Sequence, residues 1–165
     1  MIKPLTKMYE HLAVKTRILE KLGERYYTPM VEREVQTAAI RQDDRVLFIG
    51  GGPLPMSALL IARFTHATVD IVDCDKRALS KARHFLSKYD VPISFIHARG
   101  EEMVIDRYSV IIIAKQVMPK ACVLRQLLDQ ASSGTRILYR ESRRAELTYP
   151  SRVKRVGQLC LIVAA

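Results

Sequence analysis

"RVLFIGGGPLPMSALL", residues 45–60, decides the fold. An apolar run typical of a buried strand leads directly into three glycines, and an apolar helical pattern follows. Glycines placed after the first strand of a parallel sheet let a ligand approach the backbone, because they lack a β-carbon. Pro53 and Pro55 stiffen this loop, and Pro55 suits the start of the next helix. The stretch predicts a ligand-binding loop between a strand and a helix.

Outward from this loop, short apolar runs alternate with helical stretches. The predicted strands are Val46 to Ile49, Thr68 to Val72, Ile93 to Ile96, Ser109 to Ala114, Arg136 to Tyr139 and Leu159 to Val163. The predicted helices between them are Met56 to Phe64, Lys76 to Lys88 and Lys120 to Ala131. Such alternation is typical of an α/β fold with a doubly wound, mostly parallel, Rossmann-like sheet.

The N-terminal region predicts a short helical extension, residues 1–42, ahead of a Rossmann-like domain, residues 43–165. Its first helix is predicted from Leu5 to Leu22, with Gly23 as the stop. A second helix is predicted to begin with Thr28 as its cap and Pro29 at its first position.

Composition sets broad limits on the class of protein. The chain has 165 residues, enough for one domain with a sizeable core, and a formal net charge of +10. That charge favours anionic partners without choosing among nucleic acid, acidic membranes and carboxylate-rich small molecules. Cys74, Cys122 and Cys160 are expected to be reduced core thiols, and the histidines show no metal-ligand spacing. These spacings predict no metal site. No apolar run is long enough to span a membrane, which predicts a cytoplasmic protein.

An acidic residue predicts the kind of ligand. Asp73 ends the second strand, where a carboxylate can bind ribose hydroxyls, and Asp75 is expected to cap the next helix. A dinucleotide fingerprint would place a third glycine at the position of Pro55. The loop therefore favours a ligand with a nucleoside and without a pyrophosphate.

Four segments together resemble one protein family. "FIGGGPLPMSALLIA" is similar to the Gly-Pro-Leu-Pro loop of nicotianamine synthases and their bacterial relatives that make opine-type metallophores. "RYYTPM", "IVDCD" and "YRESRRAELTYP" resemble the family's Tyr-Tyr segment, its paired-aspartate strand end and its Arg…Tyr-Pro segment. The resemblance runs from about Tyr26 to Pro150.

The resemblance implies a methyltransferase-like fold that moves the 3-amino-3-carboxypropyl group of S-adenosylmethionine, rather than its methyl group, onto a small-molecule amine or amino-acid acceptor. Methylthioadenosine would be left. Tyr26 and Tyr27 are the implied catalytic residues, and Arg140 and Tyr149 the substrate-binding ones. The predicted cofactor-binding residues are Gly50, Gly51, Gly52, Pro53, Leu54, Asp73, Cys74, Ala98 and Arg99. Glu24, Glu32 and Glu34 are expected to be solvated helix carboxylates, although one of them near the mouth of the site could accept the proton of an attacking amine. The proton acceptor stays unassigned.

Several features keep other interpretations open. Phe48 stands where many S-adenosylmethionine folds have an acid, and Arg99 stands near an expected adenine-binding aspartate, leaving Glu101 or the backbone near Ala98 as substitutes. After Pro150 only one strand is predicted, so the terminal hairpin is expected to be shortened. The alternatives are a small-molecule or RNA methyltransferase and a non-catalytic S-adenosylmethionine-binding protein. A homodimer that completes the pocket also stays open, nucleic acid is not favoured, and no membrane partner is expected.

Overall fold

The computed structural model describes residues 4–140 and 153–164, with the backbone alone for residues 4–17 and 19. The helices are α1 Pro4–Thr37, α2 Met56–Thr65, α3 Lys76–Leu86 and α4 Lys120–Gln130, with a short 3₁₀ helix at Gly100–Glu102. The strands are β1 Arg45–Ile49, β2 Thr68–Asp73, β3 Ile93–His97, β4 Val110–Ile113, β5 Arg136–Arg140, β6 Val153–Val156 and β7 Leu159–Val163.

All seven strands form one sheet in the order β3-β2-β1-β4-β5-β7-β6. Strands β1 to β5 run parallel, whereas β7 is antiparallel to both β5 and β6. The chain order reverses between β1 and β4, and a crevice for ligands forms at such a point, outside the carboxyl ends of the strands. The predicted doubly wound, mostly parallel α/β sheet is confirmed.

The sheet is covered on both faces. Val46 and Phe48 of β1 face a core cluster shared with α1, α2 and α3, while Leu47 and Ile49 face a second cluster shared with α4. Alternating side chains along one strand therefore enter two cores, as expected for a strand buried on both sides. This packing holds the end of β1, and the glycine loop after it, in a fixed position.

The prediction of two N-terminal helices is wrong, because α1 is one continuous helix of 34 residues. Gly23 lies inside it, and a β-carbon at Gly23 would lie 3.3 Å from Cε of Met56 in α2. The glycine thus serves the close packing of α1 on α2 rather than a stop. Pro29 also lies inside α1, and the Thr28 hydroxyl donates to the Glu24 carbonyl at 2.7 Å one turn earlier.

The prediction of only one strand after Pro150 is also wrong, because two strands form a terminal hairpin there. Strands β6 and β7 pair antiparallel around Gly157 and Gln158, and Gly157 has φ +65°. Glycine adopts that left-handed conformation at little cost, which permits the tight turn. Strand β6 lies at the sheet edge with Lys154 and Arg155 exposed. Because these two charged residues interrupt it, β6 has no apolar run of the kind by which the other strands were predicted.

Across residues 4–140 and 153–164, no helix is long and apolar enough to cross a membrane.

Candidate functional site

Three adjoining cavities follow the carboxyl ends of the strands. The Asp73 cavity, of about 280 Å³, lies between Asp73, Ala98 and Gly50. The inner cavity, of about 70 Å³, lies beneath the glycine loop against Phe48. The Tyr27 cleft, of about 700 Å³, lies between α1, the loop after β4, Arg140 and the β6–β7 turn. Gln116 lines all three, so the three cavities adjoin one another around its side chain.

The glycine loop is shaped by contacts that exclude side chains at two positions. Gly50 has φ +85°, and a β-carbon there would lie 2.5 Å from Cγ2 of Val117. A β-carbon at Gly51 would lie 2.3 Å from Cγ2 of Ile71. Both separations are far below a normal carbon–carbon contact. Glycine is required here because the backbone passes directly over β2 and the loop after β4.

Asp73 connects the glycine loop to α3. One carboxylate oxygen accepts the backbone N–H of Gly52 at 2.8 Å, and the other accepts that of Asp75 at 2.9 Å. Asp75 accepts the N–H of Arg77 at 2.8 Å, which confirms its prediction as the cap of α3. A carboxylate offers about four lone-pair sites, so Asp73 keeps acceptor capacity toward the cavity that it lines.

Cys74, Ala98 and Arg99 line the Asp73 cavity together with Gly50 and Asp73. Arg99 contacts Glu101, with 2.7 Å between Nε and Oε1, and Glu101 lines the same cavity. The structure therefore brings together five of the predicted cofactor-binding residues and the predicted substitute Glu101.

The expectation of core thiols holds for Cys160 alone, because Cys74 and Cys122 are exposed. Cys74 follows the last residue of β2 and so lies at the rim of the Asp73 cavity rather than in the sheet.

The four other predicted loop residues differ in which cavity, if any, they line. Leu54 lines the inner cavity, as do Gly50 and Gly51. Gly52 and Pro53 line none of the three cavities, so the contribution of Gly52 is its N–H bond to Asp73.

The predicted catalytic tyrosines lie on α1, beside the Tyr27 cleft. Tyr27 packs against the core and also lines the inner cavity, whereas Tyr26 is 77% exposed. Their rings meet edge to face, with centroids 5.2 Å apart. Of the two, Tyr27 is the one that faces both cavities. Tyr149, the second predicted substrate-binding residue, lies outside the described residues.

Arg140 lines both the inner cavity and the Tyr27 cleft, but its guanidinium donates hydrogen bonds to two buried side chains, Glu34 and Ser57. Its Nε and Nη2 donate to the two carboxylate oxygens of Glu34, with 2.8 Å for Nη2, and Nη2 also donates to the Ser57 hydroxyl at 3.0 Å. The expectation that Glu34 is solvated is wrong, since it is completely buried. A charge can remain buried there because its opposite charge is bound in fork geometry.

Glu34 and Gln116 are the site residues that sequence reasoning missed. The Gln116 side-chain amide donates to the Gly50 carbonyl at 3.1 Å. Gln116 follows β4, one of the two strands that border the switch point, and this position in the topology was the only available signal. Glu34 gave no signal, because its partner lies 106 positions away in the chain.

Two shifted carboxylates lie toward the opposite end of the sheet. Burial raises the pKa of Asp70, but hydrogen bonds from Ser94, Tyr108 and Arg45 outweigh it and leave that pKa below its ordinary value. Asp44 has a lowered pKa for a similar reason, with bonds from Ser109, the Arg41 N–H and Arg136 opposing burial. Both groups stabilise the fold at the amino ends of the strands. Within the described part of the chain, no cluster of three His, Cys, Asp or Glu side chains could hold a metal ion.

Known proteins match both the sequence and the fold. The family model of nicotianamine synthase protein matches residues 26–151. L-histidine 2-aminobutanoyltransferase of Pseudomonas aeruginosa is 31% identical over 147 residues, covering 84% of this chain and 55% of that protein. The protein of the same name from Yersinia pestis is 27% identical over 118 residues, covering 69% and 43%.

Solved structures show the same fold. MtNAS in complex with MTA and tNA has a TM-score of 0.70 at 22% identity, covering 84% of this chain and 60% of that chain. An RNA methyltransferase from Salinibacter ruber, in complex with S-adenosyl-L-homocysteine, has a TM-score of 0.64 at 21% identity, covering 81% and 87%.

The chain spans about half the length of the curated relatives that it matches. The family model nevertheless covers most of this chain, including the glycine loop, Asp73, Gln116 and Arg140. The chain therefore belongs to the nicotianamine synthase family.

Proposed function

We propose that this chain binds S-adenosylmethionine and transfers its 3-amino-3-carboxypropyl group to the amine of a small-molecule acceptor, leaving methylthioadenosine. The observation that carries this proposal is the adjacency of the Asp73 cavity, the inner cavity and the Tyr27 cleft, since Gln116 lines all three. A donor with a nucleoside at one end and an amino acid at the other suits two consecutive cavities, and an acceptor suits the third.

In this arrangement the nucleoside occupies the Asp73 cavity. The Asp73 carboxylate accepts from the ribose hydroxyls while it holds the Gly52 N–H at 2.8 Å. Gly50 and Gly51 hold the loop close against Val117 and Ile71, because a β-carbon has no room at either position. Their backbone then borders the cavities that the donor occupies. The amino-acid part then enters the inner cavity, toward Phe48 and Arg140.

The sulfonium activates every carbon attached to it, so the carbon that faces the acceptor decides the reaction. The acceptor nitrogen attacks the methylene carbon of the aminocarboxypropyl group, the carbon–sulfur bond breaks, and its electron pair returns to sulfur as a thioether. The attacking amine must also lose a proton. Glu34 is unsuited to accept it because its two oxygens are bound to Arg140. Tyr27 faces the acceptor cleft and is the residue proposed to orient the amine.

The acceptor is proposed to be an amino acid. The curated relatives are named L-histidine 2-aminobutanoyltransferase, which makes histidine the first acceptor to test. The Tyr27 cleft offers Arg33 and Lys115 as cationic neighbours for an acceptor carboxylate, alongside the aromatic wall of Tyr26 and Tyr27. Shape and charge together suit a small molecule that carries both a ring and a carboxylate.

One alternative is supported by a specific observation. The net charge of +10 suits an anionic polymer, which favours an RNA methyltransferase as the second candidate. Such an enzyme would use the same Asp73 cavity but release S-adenosylhomocysteine.

A doubly labelled donor separates the two candidates. S-adenosylmethionine with deuterium in the methyl group and ¹³C in the aminocarboxypropyl chain is incubated with the protein and each acceptor, and the products are analysed by mass spectrometry. The proposal expects deuterated methylthioadenosine and an acceptor carrying ¹³C. Deuterium in the acceptor, together with ¹³C-labelled S-adenosylhomocysteine, would establish methyl transfer instead.

A further inference from the structure

We infer that Glu34 is a positioning residue that holds Arg140 so that only its Nη1 end faces the donor, where it binds the carboxylate of the aminocarboxypropyl group. This inference rests on the proposed function. It assigns a role to a buried glutamate on α1 that the transfer chemistry does not otherwise use.

Most of the hydrogen-bond donors of the Arg140 guanidinium are already used within the protein. Arginine has five N–H donors. Three of them are used internally: Nε and Nη2 toward the Glu34 carboxylate, and Nη2 toward the Ser57 hydroxyl. Within the described part of the chain, Nη1 donates to no other group. The two remaining N–H groups therefore belong to one nitrogen.

The partners of Arg140 lie on one side of its guanidinium. Glu34 lies on α1 and Ser57 on α2, both fully or nearly fully buried, and they approach Arg140 from the side of the helices. Arg140 itself keeps 12% of its side chain exposed and lines the inner cavity beside Gly50 and Gly51. Since Nε and Nη2 are occupied on the side of the helices, Nη1 is the end of the guanidinium that is left for a ligand.

Glu34 balances the charge of Arg140, and the guanidinium also lies over the Phe48 ring, 5.9 Å from its centroid. A neutral pair in an apolar wall attracts anions weakly at long range, but it holds the two N–H donors of Nη1 in fixed directions. One of these donors can form a charge-assisted hydrogen bond with a ligand carboxylate. A lysine at this position could not satisfy the Glu34 carboxylate in fork geometry and reach the ligand as well.

The test compares two ligands that differ in the group concerned. Methylthioadenosine has the nucleoside but lacks the aminocarboxypropyl group and the sulfonium charge. The ratio of its affinity to that of S-adenosylmethionine therefore reports the contacts of that part of the donor, which includes the carboxylate. Calorimetric titrations with both ligands are made on the wild type, Glu34→Gln and Arg140→Lys. Loss of a hydrogen bond to a charged group weakens binding about ten- to a hundredfold. We expect that loss for S-adenosylmethionine in both variants, with methylthioadenosine bound as in the wild type.

A double variant, Glu34→Met with Arg140→Met, separates positioning from folding. Apolar side chains of similar size often replace a buried ion pair without loss of stability, so the double variant should unfold at about the wild-type temperature even if Glu34→Gln does not fold. It should bind methylthioadenosine normally and S-adenosylmethionine weakly. Wild-type preference for S-adenosylmethionine in the double variant, or in a folded Glu34→Gln, would overturn the inference while leaving the proposed function intact. A wild-type protein that binds neither ligand would refute the proposed function and the inference with it.

Discussion

Replacing Gly51 by alanine should damage ligand binding through a single clash. The new methyl carbon would lie 2.3 Å from Cγ2 of Ile71, whereas carbon atoms in contact prefer about 3.5 Å or more. Ile71 is completely buried in β2, so the loop has to retreat by about 1.2 Å. That movement breaks the bond from the Gly52 N–H to Asp73, now 2.8 Å long.

Overpacking of this kind costs about 1–3 kcal/mol of folding free energy, and each kcal/mol lowers the melting temperature by about 2–4 °C in a chain of this size. Calorimetry should show methylthioadenosine bound at least about tenfold more weakly, because the lost bond involves a charged acceptor.

Gly134→Ala is the control for stability loss alone. Gly134 has φ +87° with no atom within 4 Å of an added β-carbon, and it precedes β5, away from the three cavities. The strain of about 1–2 kcal/mol should lower its melting temperature without affecting binding. Wild-type affinity in Gly51→Ala, or equal losses of affinity in both variants, would refute this account of the loop.

Three further predictions concern other parts of the molecule. Asp73→Ala should weaken the binding of methylthioadenosine about ten- to a hundredfold in calorimetric titrations, because charge-assisted bonds are removed. Asp75→Ala should cost only about 1 kcal/mol of stability as a lost helix cap, and equal affinities in the two variants would remove Asp73 from the site. Tyr27→Phe should lower the rate of methylthioadenosine release about tenfold or more through the loss of its hydroxyl, whereas Tyr26→Phe, at an exposed position, should leave that rate unchanged. An unchanged rate in Tyr27→Phe would exclude its hydroxyl from the reaction. Because the folded-state pKa of Asp70 is lowered, its stabilising contribution is fully present above the unfolded pKa of about 3.9 and is lost as pH falls through the folded pKa. Thermal unfolding should therefore show stability falling steeply below about pH 4, with a shallower slope in Asp70→Asn.

The strands and the residues around the Asp73 cavity could be predicted because their signals are local. An apolar run, three glycines and an acid at the next strand end occupy adjacent stretches of the chain, and parallel strands bring such ends to one edge of the sheet. The Asp73 cavity needs little more than this. The apolar runs, the glycines and the parallel topology together therefore sufficed to place Asp73 beside the glycine loop.

The errors arose where distant contacts decide the structure. Gly23 and Pro29 signal a helix end in isolation, yet packing of α1 against α2 keeps the helix continuous through both. Glu34 has the local pattern of a solvated carboxylate and is buried by an arginine from β5. The short β6 was missed because pairing with β7, rather than an apolar run, makes it a strand.

Direct titration of the wild-type protein with its proposed donor tests the central claim most simply. Calorimetry with S-adenosylmethionine, methylthioadenosine and NADH should show the first two binding in the micromolar range, about −8 kcal/mol, and NADH binding far more weakly, because Pro55 replaces the glycine that a dinucleotide fingerprint places there. Tighter binding of NADH than of either sulfur nucleoside would contradict the account.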